Sequence, residues 1–306
     1  MKLLGLIYNL TKTFINSLNQ TFKTLVNQIH FFCIFRYLNQ SMKTTLSDGT
    51  PIFCLRKPEA RMLDHHVDGY LQHGIRISDN AIVFDVGANI GVFGVRAMQK
   101  ATNVSVYCFE PIPEIFAVLE QNSQLHGKEN LHVLPYGISS ADTTATFTYF
   151  PNTPALSTAH PEQWDSDPKS FGRAVKSTMK NPPRNMWYLR LIPTVFSGFI
   201  AQQLVKGRKT VDCQLRTLSS LIREKNIPKI DLLKIDCEGA EWDVLQGIEN
   251  EHWPLIASMV IEVHDQDGRV KQMQSLLAEK GFTNQHVEQE QGLEDSQMFN
   301  IFALRS

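Results

Sequence analysis

The stretch that decides the fold is Ile82-Val83-Phe84-Asp85-Val86-Gly87-Ala88-Asn89-Ile90-Gly91, an apolar run that ends in glycines. A β-strand that leads through glycines into a helix places bare backbone amides against a nucleotide-like ligand at the strand's carboxyl end. Asp85 ends the strand, and Asn89 stands where dinucleotide-binding loops prefer glycine. Because a carboxylate accepts from an ammonium group and repels a pyrophosphate, this stretch favours a cofactor with a cationic amino-acid tail.

The next apolar run, 104–109, ends in a second acid, Glu110. In a doubly wound sheet, an acid at the end of the second strand reaches the ribose hydroxyls of an adenosine. Two acids at successive strand ends therefore fit S-adenosylmethionine better than NAD. The alternative is that these acids only cap helices.

Short apolar runs and helix-length segments alternate along the rest of the chain, which is typical of βαβ units around a parallel sheet. We predict a helix at 268–280, and Ala145–Tyr149 is a candidate additional strand. The predicted strands are 81–86, 104–109, 131–135, 231–236, 257–263 and 298–304.

Two of these strands deliver further polar side chains to the same edge of the sheet. Asp236 ends the run at 231–236 and Glu238 comes two residues after it, while Glu262 and His264 stand at the end of the run at 257–263. The carboxyl ends of parallel strands meet at one edge, so these side chains are expected over the crevice where a substrate sits.

Composition places the chain among globular proteins. It has 306 residues, 42% hydrophobic and 20% charged, with a formal net charge of −1, which excludes disordered, collagenous and disulfide-stapled classes. Five cysteines without a CxxC pair favour a reducing compartment and argue against a zinc site. No apolar run approaches the roughly 20 residues of a membrane-spanning helix. The sequence predicts a cytoplasmic protein.

Positive charge is concentrated in two segments that contain no Asp or Glu, residues 1–47 and 169–210. Apolar residues recur every three or four positions over 3–35, which predicts an amphipathic helix. Three interpretations stay open for it: a helix docked on the core, a peripheral contact with an anionic membrane surface, or an organellar presequence. We therefore divide the chain into a basic amphipathic segment, 1–47, and a catalytic-type domain, 48–306.

The second cationic segment belongs to an irregular, proline-rich interval at 151–210, which we predict to be a helical insertion over the sheet. Many apolar residues accompany its cations. It is either a cap that gives an acceptor an apolar wall and an anion partner, or a helical pair packed on the sheet edge. A nucleic-acid partner is not expected, because no known binding module accompanies the charge.

Taken together, four motifs resemble the FkbM family of S-adenosylmethionine-dependent methyltransferases. They are Phe84-Asp85-Val86-Gly87-Ala88-Asn89-Ile90-Gly91, Phe109-Glu110-Pro111, Leu233-Lys234-Ile235-Asp236-Cys237-Glu238-Gly239-Ala240-Glu241 and Ile261-Glu262-Val263-His264. The resemblance covers roughly residues 80–304. It implies an α/β, Rossmann-like fold with a mostly parallel seven-stranded sheet and helices on both faces. The implied activity is methyl transfer, usually to a hydroxyl oxygen of a polyketide, sugar or other secondary metabolite.

The resemblance also implies roles for individual residues. Asp85, Gly87, Asn89 and Gly91 would hold the methionine end of the cofactor, and Glu110 its ribose. Asp142 would lie beside the adenine, although a turn acid is an equally good interpretation of that residue.

The acceptor hydroxyl needs a base, because it is a poor nucleophile until its proton leaves. His264 is the leading candidate because its side chain titrates near neutrality, and Asp236 is the alternative. Glu238 and Glu262 are expected to contact the substrate. No metal is predicted, although Asp236, Glu238, Glu262 and Asp265 could gather Mg²⁺.

The acceptor class stays open at this point. A small or carrier-tethered hydroxylated molecule is the leading prediction. The alternatives are a lipid-linked glycan, a nitrogen acceptor, and a non-catalytic scaffold that only binds the cofactor.

Overall fold

The computed structural model describes residues 41–160, 172, 175–177, 179–180, 190–265, 267–289 and 298–305. The chain divides into two compact units, Met1–Ser41 and Met42–Ser306, and the second contains every helix and strand that the structure describes. The predicted helix at 3–35 lies outside the described residues, as do the stretches 161–171 and 181–189 of the predicted insertion.

The second unit alternates strands and helices along most of its length. Short 3₁₀ helices lie at Pro154–Leu156, Thr194–Phe196 and Trp253–Leu255. The other elements are β1 (Met42–Thr45), β2 (Pro51–Cys54), α1 (Lys57–Tyr70), β3 (Ile82–Val86), α2 (Val92–Lys100), β4 (Ser105–Phe109), α3 (Pro113–His126), β5 (Leu131–Leu134), β6 (Gly137–Ile138), β7 (Thr143–Tyr149), α4 (Ser197–Leu204), β8 (Lys209–Arg216), α5 (Leu218–Lys225), β9 (Leu232–Ile235), α6 (Glu241–Gln246), β10 (Ser258–His264), α7 (Arg269–Glu279), β11 (Asn284–Gln289) and β12 (Met298–Leu304).

Seven of these strands form the central sheet, in the order β11-β12-β10-β9-β3-β4-β5. The five strands from β10 to β5 are parallel, and β12 runs antiparallel to both of its neighbours. The predicted Rossmann-like, mostly parallel seven-stranded sheet is confirmed. In chain order, β4 and β5 are added on one side of β3, and β9 and β10 are added on the other side. The order in which strands are added therefore reverses between β3 and β9. Ligands of open α/β sheets bind at this kind of switch point.

Alternation along the strands divides the core between the two faces of the sheet. Val83, Leu232 and Val260 belong to a cluster that α1, α2 and α3 cover. Phe84, Leu233 and Ile261, one position later on each strand, belong to a cluster that α5, α6 and α7 cover. Since side chains alternate with a period of two, Asp85, Lys234 and Glu262 lie on the face beneath α1.

Beside the central sheet, β6, β8 and β7 form a three-stranded sheet. The predicted strand at Ala145–Tyr149 is part of β7, and it pairs antiparallel with β8 rather than with the central sheet. The interval at 151–210 therefore begins after β7 and ends at the start of β8. Its described part contains α4 and two of the 3₁₀ helices.

Several elements have no counterpart among the sequence predictions: β1, β2, α1, β8 and β11. The edge strand β11 reads Asn-Gln-His-Val-Glu-Gln, so only Val287 carries the apolar signal of a strand. An edge strand pairs with one neighbouring strand only. Pairing with β12 is enough to make residues 284–289 a strand, although their own side chains have a weak preference for that conformation. Among the helices of the described ranges, none combines the length and the apolar character that crossing a membrane requires.

Candidate active site

At the switch point, the backbone that follows β3 lies in close contact with the backbone that follows β9. Gly87 follows β3 with a φ of 75°, and a Cβ at this position would overlap the carbonyl oxygen of Asp236. Gly91 has a φ of 84° and lies directly before α2. Only glycine adopts such angles at little cost, so both glycines are needed for the loop to turn while β3 and β9 stay in contact.

A buried lysine stands between two of the predicted site acids. The Lys234 ammonium lies 3.1 Å from Asp85 Oδ1 and 3.3 Å from Asp236 Oδ2, and it donates a hydrogen bond to the carbonyl oxygen of Gly87. Burial by itself lowers the pKa of Lys234, but Asp236 and Asp85 raise it above its usual range. The lysine therefore stays charged and fixes both carboxylates.

Asp85 is fully buried, and its carboxylate belongs to this ion pair. Burial raises the pKa of Asp85, and the nearby Lys234 opposes that rise. The predicted direct contact with a ligand ammonium group stays a prediction. The geometry supports an indirect role, in which Asp85 orients Lys234 and Lys234 orients Asp236. Asp236 itself is partly exposed, with 21% of its side chain accessible.

Tyr70, the last residue of α1, belongs to the site although sequence reasoning missed it. Its hydroxyl lies 3.0 Å from Asp236 Oδ2 and 3.0 Å from Glu262 Oε2. The ring packs edge-on against Phe93 and beneath the Lys234 ammonium. Leu63, Val67 and Tyr70 recur at helical spacing on α1, but nothing local in the sequence indicates a bond from Tyr70 to strands far away in the chain.

We expect Tyr70→Phe to destabilise the protein by about 1–3 kcal/mol, because Asp236 and Glu262 lose a buried donor. Urea denaturation measures this directly. Tyr107→Phe on β4 is the matched control, since the structure gives its hydroxyl no hydrogen bond to a described residue. Equal midpoints for the two variants would contradict the bridging role.

Glu110 follows β4 and is 5% exposed. Its carboxylate oxygens accept hydrogen bonds from the backbone amides of Ile112 at 2.9 Å and Asn89 at 3.1 Å. Asn89, with a φ of 50°, also binds the amide of Ile90 through its own side chain. These contacts hold Glu110 against the glycine loop, and its contact with the cofactor ribose stays a prediction.

Burial raises the pKa of Glu110 to about 7, although the amides of Ile112 and Asn89 oppose the rise. An unfolded glutamate has a pKa of 4.5, so between pH 4.5 and 7 the folded state keeps a proton that the unfolded state releases. The free energy of unfolding should therefore fall as pH rises through this window. Urea denaturation of the wild type and Glu110→Gln across pH 4.5–8 checks this. The variant should show a shallower decline; part of the decline persists because Glu59 is shifted the same way. Parallel pH profiles would refute the assignment to Glu110.

His264 ends β10, and its Nε2 lies 3.7 Å from Glu238 Oε2. The two side chains are 14% and 15% exposed. Glu238 has a φ of 54° and Gly239 a φ of 101°, so the loop after β9 turns through left-handed conformations to reach His264. Thr158 from the insertion donates a hydrogen bond to the carbonyl oxygen of Glu238 at 2.7 Å. The structure thus brings the predicted base and a predicted substrate residue together.

Asp142 lies apart from these residues, at the start of β7 and half exposed. It accepts hydrogen bonds from the Thr217 amide at 2.6 Å and the Ser220 hydroxyl at 3.1 Å, and it pairs with Arg216. The pKa of Asp142 is lowered, mainly by the hydrogen bond from the Thr217 backbone amide. These contacts suit an acid that caps the start of α5, and an adenine-side role stays a prediction.

The alternative Mg²⁺ set is not assembled in the described ranges. Two groups of three His or acidic side chains there have ligand atoms within 4.8 Å of one another, and neither includes Asp236, Glu238, Glu262 or Asp265. Asp265 instead accepts a hydrogen bond from the amide of Val270 in the first turn of α7.

The side chains at the switch point fit S-adenosylmethionine by their chemistry. This cofactor carries a sulfonium, an ammonium group and a ribose diol, which call for acceptors and negative charge. The described side chains here are mainly carboxyl groups, which supply hydrogen-bond acceptors, and Lys234 lies between two of them. The acids are Asp85, Glu110, Asp236, Glu238, Glu241 and Glu262.

Comparison with known proteins gives a consistent result. The family model for the methyltransferase FkbM domain matches residues 85–284. Methyltransferase sdnD of Sordaria araneosa is 31% identical over 77% of this chain and 87% of its own length. The 31-O-demethyl-FK506 methyltransferase FkbM of Streptomyces tacrolimicus is 33% identical over 78% of this chain and 87% of its own length. A crystal structure of a methyltransferase FkbM from Methylobacillus flagellatus aligns with a TM-score of 0.42 at 12% identity, over 80% of this chain and 52% of that one.

The family model covers well over half of the chain, and it includes the end of β3 from Asp85, the glycine loop and the strand ends that carry Glu110, Asp236, Glu262 and His264. The chain therefore belongs to the FkbM family of methyltransferases, with S-adenosylmethionine as methyl donor.

Proposed function

We propose that this methyltransferase modifies a hydroxyl oxygen of a small or carrier-tethered acceptor. The observation that carries the proposal is the pairing of His264 with Glu238 at the crevice, because a hydroxyl acceptor needs a base and a carboxylate beside an imidazole orients it. When bound, S-adenosylmethionine supplies a methyl group activated by the sulfonium. Positioning of the acceptor oxygen supplies much of the remaining rate enhancement.

His264 is the better of the two candidate bases. Asp236 already accepts a hydrogen bond from Tyr70 and lies beside Lys234, so contacts within the protein occupy its carboxylate. The carboxylate of Glu238 lies 3.7 Å from Nε2 of His264, so it can hold the imidazole in one orientation. His264 takes the acceptor proton at a ring nitrogen, while Asp236 receives the cofactor's ammonium group or the acceptor.

For the cofactor, we assign the backbone of Gly87, Asn89 and Gly91 to the methionine end and Glu110 to the ribose. Asp85 contributes by holding Lys234. Three observations support these assignments: the residues lie at the switch point, the loop has left-handed backbone angles, and two backbone amides fix the Glu110 carboxylate.

The insertion supports an acceptor with an apolar body and an anionic group. Leu191, Val195, Phe196 and Phe199 are exposed large apolar side chains, and Val195 reaches 82% exposure. Exposed cations accompany them at Arg190, Lys206, Arg208 and Lys209. Two side chains connect this segment to the crevice through residues 151–160. The Asn152 side chain donates hydrogen bonds to the carbonyl oxygens of Gln203 and Lys206, and the Thr158 hydroxyl donates one to the carbonyl oxygen of Glu238. The name of the Streptomyces relative, an O-demethyl-FK506 methyltransferase, also favours oxygen as the acceptor atom.

The test is acceptor-dependent release of S-adenosylhomocysteine by the full chain. The panel contains small hydroxylated molecules, carrier-tethered ones and lipid-linked glycans, and it pairs each acceptor with its own methyl ether, its amine analogue and its phosphate ester. Release with hydroxyl acceptors and none with the ethers supports O-methylation, and faster turnover of the phosphorylated member supports the cationic cap. Release with amines alone, or with lipid-linked glycans alone, replaces the proposed acceptor. Cofactor binding without turnover on any member favours the scaffold alternative.

A further inference from the structure

A second cluster of potential ligands lies on the edge of the central sheet, formed by His73, His286 and Glu288. His73 follows α1, and the other two stand two positions apart on β11, so their side chains share one face. Glu288 pairs with Asn300 of β12, which pairs with Glu262 of β10. The cluster is therefore two strands away from the crevice and takes no part in the proposed transfer.

The three ligand atoms already lie close together. His73 Nε2 is 2.9 Å and His286 Nε2 is 3.8 Å from Glu288 Oε2, and one ligand atom from each residue lies within 4.8 Å of the others. An ion bonded to imidazole nitrogen at about 2.0–2.1 Å and to carboxylate oxygen at about 2.0–2.2 Å fits between atoms at these separations.

The backbone reaches this arrangement through an unfavourable turn. His73 has a φ of 50° and Gly74 a φ of 93°, so the chain after α1 bends through two successive left-handed residues. Such a conformation is uncommon for a residue with a side chain. The bend lays the His73 ring on that of His286, with centroids 3.5 Å apart and planes at 20°.

We propose that His73, His286 and Glu288 bind a divalent transition-metal ion, with Zn²⁺ as the natural occupant. Two imidazoles and one carboxylate suit zinc and its neighbours in the series, whereas Mg²⁺ and Ca²⁺ prefer oxygen ligands alone. The near-parallel rings must turn for their lone pairs to converge on one ion. His286 is 49% exposed and Glu288 33%, so solvent leaves room for that rotation and for a water ligand.

The other group of three ligands in the described ranges is less suitable. Glu249, Glu251 and His252 lie close enough together, but Arg223 already binds both carboxylate oxygens of Glu249 at 2.6 and 2.8 Å. His252 Nδ1 is 2.8 Å from the Ser219 hydroxyl. A metal ion there would have to displace the guanidinium.

The proposed ion cross-links the turn after α1 to the edge strand. Tyr70 precedes His73 by three residues, so the same ion holds the end of α1 over Asp236 and Glu262. Binding to the folded state alone raises thermal stability, and the gain grows with the ratio of free ion to dissociation constant.

Calorimetric titration of the untagged full chain with ZnCl₂ tests this. We expect one saturable site, a raised melting temperature, and at least a tenfold loss of affinity in His286→Ala and in His73→Ala. Glu288→Gln, the mildest change, serves if an alanine variant fails to fold. His65→Ala is the matched control, because His65 is an exposed histidine of α1 outside the cluster and should leave affinity unchanged. No binding by the folded wild type, unchanged affinity in the cluster variants, or loss of binding only in His252→Ala would each overturn the proposal.

Discussion

Lys234→Met is expected to lower the free energy of unfolding by about 3–5 kcal/mol, because removing one partner of a buried ion pair leaves the other charge uncompensated. The lysine is 3% exposed and Asp85 is fully buried, so water screens neither charge. Methionine keeps most of the side-chain volume, which limits any cavity effect. Denaturant unfolding with tryptophan fluorescence and circular dichroism measures the change.

A second substitution distinguishes the electrostatic cause from a packing cause. Lys234→Met combined with Asp85→Asn removes both members of the pair and should recover part of the lost stability. Lys100→Met is the surface control, since Lys100 and Asp68 form an exposed pair 3.3 Å apart and such pairs contribute about 0–1 kcal/mol. If the double variant is no more stable than Lys234→Met, the ion pair is not the cause.

His264→Gln is expected to lower kcat by about 10²- to 10⁴-fold, the usual contribution of a positioned general base. Glutamine keeps hydrogen-bonding capacity but cannot take a proton. The affinity for S-adenosylhomocysteine should stay nearly unchanged, because His264 ends β10 whereas the proposed cofactor contacts surround β3 and β4. Single-turnover rates and calorimetry on the same preparations separate the two effects.

Two comparisons make this result specific. Glu238→Gln should lower kcat less than His264→Gln does, since the proposed role of Glu238 is to orient the imidazole and contact the substrate rather than to take the proton, and His65→Gln should change neither quantity. Asp236→Asn should weaken cofactor or acceptor binding as well as turnover, because Asp236 also belongs to the network of Tyr70 and Lys234. Unchanged turnover in His264→Gln would remove this histidine from the mechanism.

Prediction from sequence succeeded where the signal is local. A strand that is followed by glycines indicates a loop at that point, and the acids Glu110 and Asp236 directly follow their strands in the sequence. The same reasoning failed for β11, whose polar residues carry little strand pattern, and for α1, which lies before the recognisable motifs. It also did not show that Lys234 lies opposite Asp85 in the sheet, because that pairing joins two strands far apart in the chain.

By itself, then, the sequence determined the α/β class, the glycine loop, the family and the strand-end residues, since each depends on spacing within one strand and its turn. Only the tertiary structure decided which of those residues contact one another. The bonds from Tyr70 to Asp236 and Glu262 join positions 166 and 192 apart in the chain, and the contact from His73 to Glu288 joins positions 215 apart. Contacts of this kind depend on the packing of α1 and the turn after it against strands that lie far away in the chain, and such packing cannot be derived from the spacing of residues within one segment.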